Sequence, residues 1–278
     1  MLQKVSISYL CAVVVCISLL GPSASASNSC DISYAYGSGQ NAFNLCFSHD
    51  GNLVSFESPA GAEHIAVGTI GEGYALCSGT QVYAYDAGFD EAGWGPATVK
   101  QPANGQTFPV TVTRTTTDGT FQLVQIIAIN ANKASQSPER EVTMQMKLTN
   151  LSASTVNNVY LTRYADFDAD GTSDDDIFSI SRDTVLAHSG VQQSPGVWID
   201  APAGHGIMLT GLNFLLSKVV EINLAADWAT NHNTCITGTG VTGPTNLPAG
   251  DFAGRVAVQV GNVPAGSSKT INFVYRRF

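Results

Sequence analysis

The sequence predicts an all-β protein: a large antiparallel β-sandwich, with the supersandwich as one form it can take, and at most one or two short helices. Three observations carry this expectation. From Cys30 onward, short runs alternate apolar with polar residues, turn residues separate the runs, and only one segment departs from the two-residue period. The composition agrees, with 27 Gly and 11 Pro in 278 residues, 44% hydrophobic and only 13% charged. That excludes a disordered polyampholyte and a charge-laced helical rod.

The chain opens with Met1-Leu2-Gln3-Lys4, an apolar stretch from Val5 to Leu20, and a small-residue segment ending Ala24-Ser25-Ala26. A basic start, an apolar middle and an Ala-x-Ala site predict a cleavable signal peptide over residues 1–26. A membrane anchor is the alternative, but Ser6, Ser8 and Ser18 interrupt the stretch, which runs short of the ~20 apolar residues a spanning helix needs. The expectation is a secreted or periplasmic protein with no membrane insertion after cleavage. Cys11 and Cys16 leave with the leader, so Cys30, Cys46, Cys77 and Cys235 remain. An even number in an exported chain points to disulfides. Spacing does not choose among the three pairings, of which we favour Cys30–Cys46 with Cys77–Cys235. Zinc needs close pairs such as Cys-x-x-Cys, and the sequence has none.

The strand signals follow in order. Phe43 to Ser48 and Leu53 to Phe56 flank Asp50-Gly51, a hairpin signal. Phe108, Val110 and Val112 alternate with threonines, and Asp118-Gly119 then marks a second hairpin. Val142, Met144, Met146 and Leu148 would scatter around a helix but share one face of a strand, so the methionines are core filler. Val156 to Ala165, Gly206 to Leu212, Val256 to Val260 and Ile271 to Tyr275 continue the series. Phe214 to Ala229 is the exception, since Leu215, Val219, Ile222 and Ala226 stand near helical spacing and predict one short helix. Gly238 to Gly250 reads as a long loop inside the fold. No repeat or linker divides residues 27–278, which are expected to form a single β-sandwich domain.

The sharpest local feature is Asp166-Phe167-Asp168-Ala169-Asp170-Gly171-Thr172-Ser173-Asp174-Asp175-Asp176, which holds six of the 22 acidic residues. Crowded carboxylates repel unless a cation sits among them, and Ca2+, with six to eight oxygen ligands, suits the pattern. A solvated acidic turn is the alternative. The motif resembles the calcium loops of EF-hand, dockerin and thrombospondin-type repeats. That resemblance implies Asp166, Asp168, Asp170, the Thr172 carbonyl and Asp174 as metal ligands. It departs at Ser173, where those families prefer an aliphatic residue, and at Ile177, where an EF-hand carries glutamate, so Asp175 or Asp176 would supply the missing carboxylate.

More widely, Leu148-Thr149-Asn150-Leu151-Ser152, followed by Arg163-Tyr164-Ala165-Asp166-Phe167-Asp168, resembles exported bacterial β-sandwich proteins that are mostly uncharacterised. A similar strand–turn–strand unit occurs in the large sandwiches that bind or process carbohydrates, including mutarotase-like folds. The resemblance implies an exported sandwich and no particular activity.

Acidic residues outnumber basic ones, 22 to 13, for a net charge of −9, which argues against nucleic acid as a partner. Catalysis would need titratable groups converging in a cleft. The catalytic candidates are Glu63, His64 and Glu72, with Glu57, Asp86, Asp90, Glu91 and His205 as further carboxylates and imidazoles. A carboxylate pair with aromatic platforms would suit glycoside hydrolysis, but no spacing here is diagnostic. Gly-x-Ser-x-Gly, His-Glu-x-x-His and phosphate-loop motifs are absent. Trp94, Trp198, Trp228, Tyr34, Tyr36, Tyr74, Tyr83 and Tyr85 are enough aromatics to stack on sugars or simply to fill a core. The sequence is therefore read first as an exported, calcium-stabilised binding module, with a polysaccharide or a cell-surface or matrix component as partner. A carbohydrate-active enzyme (hydrolase, lyase or mutarotase-like) and a purely structural surface protein are the alternatives.

Overall fold

The computed structural model describes residues 29–65, 71–103, 106–129, 140–173, 175–194, 197–200, 204–212, 216–243 and 245–278. The expected signal peptide and Asp174 lie outside them. All pairings among the described strands are antiparallel, and the strands make three sheets. β1 (Ile32–Tyr36), β2 (Phe43–Phe47) and β3 (Leu53–Glu57) form a meander of their own. β4 (Glu72–Ser78), β5 (Gln81–Asp86) and β6 (Glu91–Ala92) make one arm of a seven-stranded sheet. β7 (Thr98–Lys100), β8 (Val110–Thr115), β9 (Phe121–Ile129) and β10 (Arg140–Asn150) start the opposing ten-stranded sheet.

β11 (Val156–Asp166) returns to the seven-stranded sheet beside β4, and β12 (Asp176–Ile180), β13 (Thr184–Ser194), β14 (Val197–Asp200) and β15 (Gly206–Gly211) return to the larger one. β16 (Lys218–Leu224), the helix α1 (Ala225–Asn231) and β17 (Val241–Thr242) follow, then β18 (Thr245–Leu247), β19 (Phe252–Val263) and β20 (Ser268–Arg277). Across the sandwich β19 lies over β13, β15 and β20. One apolar core joins residues of all three sheets, from Ile32 to Tyr275.

The alternation explains the packing. Val142, Met144, Met146 and Leu148 are fully buried, whereas Lys147 between two of them is exposed. Both hairpin signals sit at turns: Gly51 and Gly119 adopt left-handed φ values of 89° and 72°, which cost glycine nothing. The helix expected over Phe214 to Ala229 is corrected. Residues 213–215 lie outside the description, Lys218–Leu224 is a strand paired to β19, and the helix occupies only Ala225–Asn231. Val219, Val220 and Ile222 are β-branched, and a partner strand that buries Val220 and Ile222 outweighs weak helical spacing. The loop from Gly238 to Gly250 holds two short strands, β17 and β18. Disulfides join Cys30 to Cys46 and Cys77 to Cys235. Among the described residues, no helix is long and apolar enough to cross a membrane.

Candidate metal centre

The acidic loop begins where β11 ends, and the register of β11 on β19 sets its geometry. Ala165 pairs with Gly254 and Asp166 with Ala253, the last pair of that ladder, and Asp168 and Asp251 lie just beyond it, one on each strand's continuation. Carboxylate oxygens of Asp166, Asp168 and Asp251 lie within 4.8 Å of one another. The backbone is held on the other side as well. Asp166 N–H donates to the Gly71 carbonyl at 2.8 Å and Asp168 N–H to the His64 carbonyl at 3.3 Å. Phe167 points inward, fully buried against Phe178. The chain then reverses through Asp170 and Gly171, both left-handed at φ 60° and 78°.

The buried carboxylates of the loop are costly to charge. Asp166 is only 6% exposed, and among the described residues its Oδ1 has no hydrogen-bond partner. Burial, and then the charges of Asp168 and Asp251, push its carboxyl up to about 8. Asp176 is fully buried; its Oδ2 accepts the Ala169 N–H at 2.6 Å, while among the described residues its Oδ1 has no partner. Burial, against the pull of that N–H and with the charges of Asp168, Asp175 and Asp170, raises its carboxyl to about 9. Buried oxygens without partners are rare in folded proteins, and a hard dication satisfies several at once through oxygen ligands.

A second acidic group shows what neutralisation by protein looks like. Asp50, Asp86 and Glu91 also converge, but Arg114 stands among them at 3.5, 2.5 and 2.6 Å, its guanidinium 5.7 Å from the Trp94 ring centroid. That cluster carries its own cation.

Of the predicted metal residues, the structure brings Asp166 and Asp168 together and sets Asp176 in the same electrostatic neighbourhood. Asp170 is engaged elsewhere. Its carboxylate receives His205 Nδ1 at 2.6 Å, the His205 N–H at 2.8 Å and the Ser189 hydroxyl at 2.6 Å. Burial would raise this carboxyl, but those hydrogen bonds outweigh it and hold it below its ordinary value. The Thr172 hydroxyl donates to the Ala169 carbonyl at 3.1 Å. Asp251 was missed; in sequence it is one Asp after Ala249-Gly250, and only the strand register reveals it.

The catalytic candidates are bound into structure. Glu63 accepts the N–H groups of Phe56, His64 and Ile65 at 2.7, 3.0 and 3.1 Å and the Ser55 hydroxyl. His64, fully buried, places Nε2 at 2.8 Å from the Ser58 carbonyl, and its Nδ1 accepts the Asp170 N–H at 3.2 Å. This is a neutral imidazole with both nitrogens used, and burial pushes its pKa down to about 4. Glu72 crosses the sandwich interior. It takes Arg163 at 2.6 and 2.8 Å, the Tyr275 hydroxyl at 2.6 Å and the Leu53 N–H at 2.8 Å. Arg163 also reaches Gln125 and the Gly51 carbonyl and lies over the Tyr74 ring. Trp94 and Tyr74 are buried and belong to the core; of Trp198 and Trp228 the side chains lie outside the description.

No protein-family model and no curated protein matches this chain. Among solved structures it is similar to a bacterial glucoamylase complexed with acarbose, with a TM-score of 0.55 and 8% sequence identity over 90% of this chain and 32% of that one. The chain thus spans about a third of the glucoamylase's length, and at this identity the likeness is one of fold alone.

Proposed function

We propose that this chain is an exported β-sandwich binding module, stabilised by calcium, whose ligand is a carbohydrate presented by a polysaccharide or a cell-surface or matrix component. The observation that carries the reading is the convergence of Asp166, Asp168 and Asp251, with the buried Asp166 Oδ1 lacking a hydrogen-bond partner among the described residues. Calcium there would tie the end of β11 to the start of β19, stabilising the native state over the unfolded one. The fold likeness to a glucoamylase supports the ligand class, and two disulfides fit an oxidising compartment. Binding is favoured over the alternative of a carbohydrate-active enzyme because Glu63, His64 and Glu72 are spent on internal hydrogen bonds.

The test is a pull-down of the protein on a panel of insoluble polysaccharides, with calcium and with chelator. Retention on at least one polymer is expected. Loss of retention with chelator would put the acidic loop at or near the ligand, and retention indifferent to chelator would leave calcium a stabilising role. No retention on any polymer overturns the carbohydrate reading.

A further inference from the structure

Where β16 of the seven-stranded sheet passes the β12–β13 turn of the ten-stranded one, a pocket of about 300 Å³ opens, lined by Ser181, Arg182, Lys218, Val220 and Thr242 among others. Lys218 reaches it from inside the sandwich. Its place in β16 sets it on the same strand face as Val220 and Ile222, both in the apolar core. The stem passes over Gly211 of β15 in the opposing sheet, where a Cβ would stand 3.3 Å from Lys218 Cδ and 3.1 Å from Val256 Cγ1. Gly211 is in turn fixed to the β12–β13 turn, its N–H donating to the Asp183 carbonyl at 3.0 Å. A glycine at this point leaves the room in which a lysine crosses between the sheets.

The charge at the end of that stem is incompletely satisfied by the fold. The Lys218 side chain is only 5% exposed, yet the Asp183 carboxylate facing it stands 3.9 Å from Nζ, outside hydrogen-bond range. Among the described residues the ammonium has no hydrogen-bond acceptor, although it carries three donors. A buried charge is costly unless it is both paired and hydrogen-bonded. Burial accordingly lowers the Lys218 pKa, and Arg182 lowers it further against the pull of Asp183. Arg182 is exposed in the turn, and its guanidinium has no ion pair or hydrogen bond among the described residues.

The lining selects the ligand chemistry. Lys218 and Arg182 against the single carboxylate of Asp183 leave one net positive charge here, on a chain whose total is −9. Opposite charge is attracted to such a spot and a cation repelled. A guanidinium presents parallel N–H donors that match two oxygens of one oxyanion. The ammonium adds a donor from the pocket's inner end, and Ser181 and Thr242 add hydroxyls. One net positive charge pairs with a monoanion. We infer that this pocket is a binding site for a single monoanionic oxygen group, a carboxylate or a sulfate ester, held between Lys218 and Arg182. The site stands on its own charges and goes beyond the carbohydrate reading, which it does not require.

Amide chemical-shift titration of the purified protein tests it, with sodium acetate and sodium methyl sulfate as probes, acetamide as the uncharged isostere, and chloride holding the ionic strength constant. We expect saturable shifts at Arg182, Lys218 and Thr242 with at least one anion and none with acetamide. Acetate alone identifies a carboxylate site, and methyl sulfate alone a sulfate-ester site. The variants are Lys218→Met, which keeps an apolar stem over Gly211, and Asp183→Asn, whose Oδ1 still accepts the Thr184 hydroxyl; each is checked for an intact melting transition. Affinity should fall about tenfold in Lys218→Met and rise about threefold in Asp183→Asn, where the competing carboxylate is gone. A lysine that serves only as the partner of Asp183 gives no saturable shift with either anion, and that result overturns the site. Equal affinity in Lys218→Met, or acetamide binding as well as acetate, overturns it too.

Discussion

Asp168 and Asp251 bring carboxylate oxygens within 4.8 Å of each other from opposite sides of the β11–β19 pairing, with Asp166 completing the group. Like charges this close repel, and on the proposed reading a calcium ion relieves that repulsion. Adding Ca2+ at 100 times its dissociation constant should stabilise the fold by about 2.7 kcal/mol, a rise in melting temperature on the order of 5–10 °C for a chain of this size. Asp168→Ala and Asp251→Ala should each abolish that rise, read by differential scanning calorimetry with calcium and with chelator. An unchanged rise in Asp251→Ala would remove Asp251 from the site.

Glu72 and Arg163, both on the seven-stranded sheet, are the interior counterpart, a fully buried ion pair joined to the ten-stranded sheet through Tyr275 and Gln125. Removing one charge strands the other. Glu72→Ala should destabilise by about 3–5 kcal/mol, and the double variant Glu72→Leu with Arg163→Met should recover a large part of it. Urea denaturation of the three proteins measures both. A double variant no more stable than Glu72→Ala would mean that the hydrogen bonds of Leu53 and Tyr275, not the stranded charge, dominate the cost.

These two sites mark where reading the sequence stops. Alternation exposed the strands because each buries one face: Met144 and Met146 could be assigned to the core with no knowledge of their neighbours. The acidic loop was legible because its carboxylates are close in sequence. Asp251 was not, since it reaches Asp168 through a strand register, and no local pattern encodes register. Glu72 and Arg163 look like surface charges for the same reason; on adjacent strands β4 and β11 they meet diagonally, with Glu72 opposite Ala165 and Arg163 opposite Tyr74. The helix misread over Val219 and Ile222 has a different cause, since pairing with β19 decided that segment.

His64 makes part of the acid sensitivity of the fold depend on an imidazole. Burial pushes its folded pKa down to about 4, against about 6.5 in an unfolded chain. The unfolded state therefore binds the proton first as pH falls. The stability contributed by neutral His64 is complete above pH ~6.5 and is lost as pH falls through about 4, on the order of 3 kcal/mol in all. His64→Gln should be less stable than the unmodified protein at pH 7, and the gap should narrow by about that amount by pH 4. Urea titrations at pH 7, 5.5 and 4 test this, and a constant gap would show that His64 does not stay neutral in the fold.

The Cys77–Cys235 bridge spans a sequence separation of 158 residues and pins the segment after α1 to β4. Closing so long a loop restricts the unfolded chain, with an expected contribution of about 2–5 kcal/mol. Alkylation without reductant should label none of Cys30, Cys46, Cys77 and Cys235, which intact mass reads directly. Cys77→Ala with Cys235→Ala should lower stability by that amount. A double variant as stable as the unmodified protein would show that this bridge does not restrict the unfolded chain.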